Sequence, residues 1–460
     1  MKYDVVIVGG GVSGTALLYT LARYTDIRNI AIIEKCCDFG LINSSSRMNS
    51  QTLHFGDIET NYSLEKAKRV KRSADMVMNF LETEKAVNGD ERLFVKVPKM
   101  ILAVGKEETG KLRARYEEIR ELFPRLRMIG KEDIARLEPR IVVGRDPDQD
   151  LLALFTRDGY TVDFGKLSHA FVDKARQENP DISINLSTRV LKVVRNGNEY
   201  DILTDKGSFK SETVVVAAGA HSLLLAKSLG YGKNYTILSM AGSFYFGPAV
   251  LGGKVYTMQE PKLPFAAIHG DPEVHDRNTT RFGPTAKPIL LLERYNASTF
   301  TGYLKTCGLN IRSLISLVKI ASDKIVFRFL LKNLIYDIPA IGKKAFLKEI
   351  RKIVPGISGD EVKFARKIGG TRPQVVNINT GKLEMGEAKI RGEKIIFNVT
   401  PSPGASTCLG NAFEDTLLLM GFLDNKYKFE RELFEKELIN RNEDVTDQIQ
   451  RENLINSPVV

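Results

Sequence analysis

The stretch YDVVIVGGGVSGTALLYTLAR, residues 3–23, decides the fold. Residues 3–8 are an apolar, β-branched run, the pattern of a strand buried on both faces in a parallel sheet. GGGVSG follows, in which Gly9, Gly11 and Gly14 satisfy G-x-G-x-x-G, and a helical pattern continues through Arg23. A second short strand pattern ends at Glu34, matching the ~20-residue interval from the last glycine to a ribose-binding acid. Gly9 allows the tight turn, Gly11 lets the backbone approach a pyrophosphate, and Gly14 lets helix and strand pack closely. The helix start then presents free N–H groups and a positive dipole end to phosphates. With strand, helix and acid all in place, the run reads as a dinucleotide-binding βαβ unit rather than a bare glycine turn.

Outward from this unit, 460 residues allow two or three domains, or two with one discontinuous. With 43% hydrophobic and 27% charged residues the composition is that of a globular protein, which excludes disordered and fibrous classes. No apolar run approaches the ~18 residues needed to cross a bilayer. The first residues read as entering a strand directly, so no cleavable signal is expected. Four cysteines, two of them adjacent at Cys36 and Cys37, give neither a disulfide framework nor paired metal spacing, so a reduced, cytoplasmic setting and no metal site are expected.

The fingerprint alone leaves FAD and NAD open, because both carry an adenosine diphosphate half. TVVVAAGAHS, residues 213–222, is another buried strand ending in small residues, and residues 182–204 before it read as a β-meander. Ala218 and Gly219 there let backbone lie close to a flat cofactor. Together the two runs resemble the FAD-containing amine and hydroxy-acid oxidoreductases of the D-amino-acid-oxidase fold. That resemblance implies an α/β protein, with a discontinuous Rossmann-like FAD-binding domain and a mixed or antiparallel-sheet α+β substrate domain. It also places NSSSRMNSQTLHFGDIETNY, with Asn49, Gln51 and His54, beside the isoalloxazine. Near the C-terminus, TPSPGAST, residues 400–407, holds Gly404, Ala405 and Ser406 just before an apparent helix, a fixed loop suited to a negative flavin edge.

NSQTLHFGDIETNY is similar to the flavin-side motif of the malate:quinone oxidoreductase family, with Asn49, His54, Glu59, Asn61 and Tyr62 matching and Gln51 and Leu53 standing where that family has glycines. AGSFYF, KVYTMQEPKLPFAAIHGDP, RFGPTA, GGTRPQV and TPSPGAS resemble its shorter bacterial branch nearly in register, from Lys2 to about Phe429. The resemblance implies FAD-dependent oxidation of (S)-malate to oxaloacetate, with electrons passing to a membrane quinone. Malate is a dianion with a secondary hydroxyl, so its site needs cations, a base and a hydride acceptor. Arg372 is expected to hold a carboxylate bidentately, which a planar guanidinium does better than an ammonium. His269, read as ending a strand before a Gly-Asp-Pro turn, is expected to take the hydroxyl proton. His54, with Gln51, is expected at the second carboxylate or the flavin edge. Asp271 suits either the orientation of His269 or a simple turn.

Two rival readings remain open from the residues. One keeps the fold and oxidises another 2-hydroxy acid, such as 2-hydroxyglutarate or lactate. The other is a non-catalytic basic flavoprotein that binds membrane or RNA.

The net charge of +11 is uneven, and residues 301–372 carry fifteen basic against five acidic residues. Within that region Arg312, Ser316, Lys319 and Asp323 fall on one helical side, while Leu314, Leu317, Val318, Ala321 and Ile325 face elsewhere. The segment 310–352 is therefore expected to form basic amphipathic helices that dock on an anionic membrane surface, holding the protein peripherally at the inner face of the cell membrane. The absence of zinc-finger spacing or RNA-binding aromatics argues against nucleic acid. The FAD-binding domain is placed at 1–80, 158–228 and 365–460 and the substrate domain at 81–157 and 229–364, with a solvated helix pair at 106–140.

Overall fold

The computed structural model describes residues 2–88, 93–260, 263, 267–308, 311–338, 341–384 and 388–440. Lys2–Val8 forms a strand between Ile30–Ile33 and Gly207–Val216, parallel to both. Its side chains alternate between two apolar layers. Val5 and Ile7 join the helices Val12–Tyr24, Phe164–Glu178 and Cys408–Phe422, whereas Val6 and Val8 join the helix His221–Ser228 and the strands above it. Both faces are therefore covered, as a parallel sheet requires. Ile395–Val399 extends this sheet in parallel beyond Gly207–Val216, and Ala388–Gly392 closes that edge antiparallel.

A second, mixed sheet of eight strands is built around the antiparallel pair Phe94–Val104 and Leu151–Val162. Lys254–Thr257 runs parallel to Phe94–Val104, and His269–Pro272, Thr279–Gly283, Tyr245–Pro248 and Lys363–Phe364 follow in order. A smaller sheet of four strands pairs Tyr235–Ala241 with Thr371–Asn377. This is the α/β architecture expected, a Rossmann-like unit beside a mixed-sheet unit.

Several local expectations are corrected. The β-meander begins only at Val190, because Ser183–Asn185 joins the parallel sheet beside Ile30–Ile33. SMAGSFYFG, an apolar run that reads as a strand of an antiparallel sheet, is parts of two strands in two sheets, divided at residues 242–244. His269 opens a strand instead of ending one: Gly270 and Asp271 pair with Phe282 and Arg281, so the Gly-Asp-Pro segment is ladder, not turn. The region 106–140 holds two helices, Lys106–Ile119 and Lys131–Leu137, with the edge strand Arg127–Gly130 between them. Thr109, Leu112, Arg115, Ile119 and Ile134 are buried, so this layer is packed on the sheet and not simply solvated.

Helices Ile311–Ser322, Lys324–Tyr336 and Ile341–Ile353 occupy the basic region. Their orientation differs from the polar stripe expected. Ser313, Ser316 and Ile320 turn inward, and the Ser316 hydroxyl donates to the Ile378 carbonyl at 3.2 Å. Ile315, Val318, Phe327, Leu331, Leu334, Ile338 and Ile341 instead lie 45–61% exposed, interleaved with exposed Lys319, Lys324 and Arg328. No helix among the described residues is long and apolar enough to cross a membrane.

Candidate active site

A cavity of about 460 Å³ lies along the carboxyl ends of the central strands. Gly9, Gly11, Glu34, Ala218 and Gly219 line it, as do Asn49, His54, Arg372, Gly404, Ala405 and Ser406. The glycine turn has the close approaches that its spacing implied. A Cβ on Gly14 would stand 2.0 Å from the Gly9 carbonyl oxygen, and one on Gly9 (φ +113) 2.5 Å from that of Ala217. At Gly11 the nearest atom to such a Cβ is Ser44 Oγ at 3.3 Å, so the backbone there faces the cavity. Gly14 itself packs beneath and does its work at the helix–strand contact. Glu34 stands at the end of its strand, accepting the Gly10 and Cys36 N–H groups at 2.6 and 2.8 Å. Glycine loop, helix start and strand-end acid along one groove are the donor set a dinucleotide requires, and the residues present fit FAD.

At the other end, residues 43–54 and 369–372 are laced together. Gly369 and Gly370 donate to the Arg47 and Met48 carbonyls at 2.8 and 2.7 Å, and Thr371 N–H to Asn43 Oδ1 at 3.0 Å. This fixes Arg372 at the start of Thr371–Asn377, across from Met240. Its Nη1 is buried without a hydrogen-bond partner, and it forms no ion pair among the described residues. Burial draws its pKa from the usual value down to about 10, leaving the guanidinium charged at neutral pH. A half-buried cation whose Nη1 is buried and unpaired, facing a cavity without an internal anion, is a site for an external one.

His54 is held by both chain ends of this region. Its N–H donates to Ser406 Oγ at 2.9 Å, and its Nδ1 meets the Glu59 carboxylate in a very short contact. The turn at Gly56 (φ +84) brings Glu59 back under the ring. Burial works to raise the Glu59 pKa, but His54 and Lys99 outweigh it and hold the carboxyl below its ordinary value. An ionised Glu59 therefore fixes the proton on Nδ1 and leaves Nε2 as the acceptor. A carboxylate-oriented histidine of this kind is a general-base arrangement.

The structure does not bring His269 to the cavity. It is fully buried behind Thr52 and Tyr256, with Thr52 Oγ1 and Tyr256 Oη 2.8 Å apart and the Tyr256 ring 4.5 Å from the imidazole. Its Nδ1 lies 3.1 Å from the Ala267 carbonyl and its Nε2 3.5 Å from Asp271 Oδ1. Asp271 is itself engaged by the buried Lys254 ammonium at 3.1 Å. Burial, opposed by Asp271 and reinforced by Lys254, drives the imidazole pKa down to about 3.

Gln51 is also removed from the cavity wall. Its amide donates to the Ser46 carbonyl and to Glu273 at 3.0 and 2.6 Å and accepts the Val274 N–H at 3.0 Å. The side chain thus braces the loop against the second sheet. Asn49 borders the cavity, but its amide donates to the carbonyls of Asn43, Ser44 and Ser45 at 3.1, 3.1 and 2.8 Å, so it shapes the loop. Sequence reasoning did not assign Glu59, Thr52 or the pairs Lys99–Asp57 and Lys254–Asp271, which are 2.8 and 3.1 Å apart. Only the five-residue interval between His54 and Glu59 left a local trace. No cluster suited to a metal ion occurs among the described residues.

A family model described as malate:quinone oxidoreductase (Mqo) matches residues 1–443. The chain is 40% identical over 446 residues to a probable malate:quinone oxidoreductase of Campylobacter jejuni, covering 94% of this chain and 99% of that one. It is likewise 40% identical over 444 residues to the malate:quinone oxidoreductase of Helicobacter pylori strain 26695, with coverages of 94% and 97%. Among solved structures, the dithionite-reduced, FAD-bound L-α-glycerophosphate oxidase of Mycoplasma pneumoniae is similar in fold, with a TM-score of 0.63 and 17% identity over 91% of this chain and 95% of that one.

Proposed function

The chain belongs to the malate:quinone oxidoreductase family, and we propose how its own residues divide the work of that reaction. The enzyme oxidises malate to oxaloacetate and passes the electrons to a quinone. In our reading FAD occupies the groove from Glu34 to Arg372 and, when bound, supplies the two-electron acceptor. Arg372 binds one malate carboxylate through its unpartnered donors and so sets the hydroxyl-bearing carbon in the cavity. His54 Nε2 accepts the hydroxyl proton, and Glu59 stabilises the imidazolium that results. Ser406 Oγ, accepting the His54 backbone N–H, fixes that residue from the other side. The observation supporting this assignment is the buried, unpaired Nη1 of half-buried Arg372, which shares one cavity with His54, the ring that Glu59 orients.

The electron acceptor is dissolved in lipid, so the protein must meet a membrane. We assign that contact to helices Ile311–Ser322 and Lys324–Tyr336, whose exposed apolar residues suit the acyl boundary and whose cations suit anionic headgroups. This makes the protein peripheral at the inner face of the cell membrane.

Anaerobic titration of the purified flavoprotein with malate, read as bleaching of flavin absorbance, tests the substrate assignment. Malate is expected to bleach wild type, while Arg372→Met should demand about a hundredfold more malate because a charge-assisted pair is lost. Equal bleaching of both proteins would remove Arg372 from the site. Bleaching by 2-hydroxyglutarate or lactate in preference to malate would move the assignment to those acids.

A further inference from the structure

Away from the His54–Arg372 end, the cavity is crossed by a cluster that the chemistry above does not use. One oxygen of the buried Glu293 carboxylate meets both the Lys35 ammonium and His221 Nε2, the latter at 2.6 Å. The other accepts the Asn296 amide at 3.0 Å. These groups come from separate places in the chain. Lys35 follows Glu34 past the strand Ile30–Ile33, His221 opens the helix His221–Ser228, and Glu293 belongs to a loop of the 290s. Glu293, Lys35, His221 and Asn296 all line the same cavity as the glycine turn. The ion pair therefore ties the wall bearing Glu34 to the wall facing it.

The Glu293 loop is also held in place without a ligand. Glu293 N–H donates to Thr299 Oγ1 at 3.3 Å and Arg294 N–H to Thr371 Oγ1 at 2.8 Å. The Arg294 guanidinium donates to the Gly242 carbonyl and, at 3.2 Å, to that of Gly369. Burial takes the His221 imidazole down to about 3, so at neutral pH it is uncharged and its one N–H is spent on Glu293. The carboxylate is thus pre-aimed across the groove, and little ordering is left for binding to supply.

We propose that Glu293, Lys35 and His221 form a clasp that retains the adenosine half of FAD, an inference that rests on the FAD reading above. The location argues for that half. The strand-end acid Glu34 marks the ribose side of a G-x-G-x-x-G site, and Lys35 is the next residue. Thr188 donates its N–H to the Glu34 carbonyl at 2.8 Å and lines the same stretch with Arg189 and Val190. The substrate groups Arg372 and His54 take no part in the cluster. The clasp therefore governs how long the cofactor stays and not how malate reacts.

The test is FAD release from the purified flavoprotein, followed as the rise of flavin fluorescence on dilution, with no malate present. Glu293→Gln and Lys35→Met should release FAD at least about tenfold faster, the effect expected for losing a hydrogen bond to a charged group. The FAD-free Lys35→Met chain keeps His221 and Asn296 on Glu293, and a far-UV spectrum equal to that of FAD-free wild type separates retention from folding. Release within twofold of wild type in both variants would overturn the clasp and leave the FAD reading standing. A wild-type protein that takes up no FAD would overturn both.

Discussion

At the residue scale, chemistry and stability fall to different histidines. His54, oriented by Glu59 and opening on the cavity, is the proton acceptor in our reading. His54→Gln should lower kcat by about 10²–10⁴-fold while FAD stays bound, the range for losing a general base. Glu59→Gln should fall between that variant and wild type, and a His54→Gln enzyme with near-normal turnover would end the assignment. His269 carries a different consequence. An unfolded chain takes up a proton near pH 6.5 that the folded chain, with Tyr256, Lys254 and Asp271 packed around this ring, refuses until about pH 3. Stability should therefore decline as pH falls from about 6.5 toward 3, by up to ~1.4 kcal/mol per pH unit for each of His269 and His221, whose imidazole burial holds down to the same range. His269→Gln should remove its share and leave that of His221, so that the slope in urea unfolding between pH 6.5 and pH 5 roughly halves, and neutral-pH malate turnover should change only severalfold. An unchanged slope would mean that His269 already ionises in the fold.

At the scale of elements, local signals were legible and contacts between distant elements were not. The glycine turn, the acid after the second strand and the loop before the last long helix each announce themselves within a few residues. Arg372 was picked as the planar cation that a dicarboxylate needs, and the structure sets it in the cavity wall after two glycines bonded to the Arg47 and Met48 carbonyls. Gln51 was misread because a polar loop side chain looks the same whether it faces a ligand or braces its own loop. Lys254 and Asp271 look like ordinary surface charges in sequence, since only the register of strands Lys254–Thr257 and His269–Pro272 makes them a buried pair. The basic helices were recognised by charge, but which side faces out depended on Ser316 finding a carbonyl partner inside. Their exposed side makes its own prediction. Phe327→Ser with Leu331→Ser should weaken sedimentation with anionic vesicles at any salt. Neutralising Lys319, Lys324 and Arg328 should weaken it at low salt and remove most of its salt dependence. Vesicle binding untouched by either set would place the membrane contact elsewhere.

At the scale of the whole molecule, the cavity belongs to no single segment. Its walls come from the first strand and turn, the loop before residue 54, residues 217–221 after the strand Gly207–Val216, the loop of the 290s, Arg372 and residues 400–406. A ligand touching all of them links the two sheet systems. Saturating FAD should therefore raise the melting temperature of the apoprotein, by the equivalent of ~4 kcal/mol at a thousandfold excess over Kd. Calorimetry on apo and reconstituted protein measures this directly, and an unshifted melting temperature would mean that the groove is not the FAD site.

The bond from His54 N–H to Ser406 Oγ joins positions 352 residues apart. During synthesis the first of these leaves the ribosome long before the second exists. At the ~5–20 residues per second of translation, residue 54 waits on the order of half a minute for its anchor. In our reading of the groove as the FAD site, a product that stops before residue 406 is therefore expected to be purified with less flavin than the full chain.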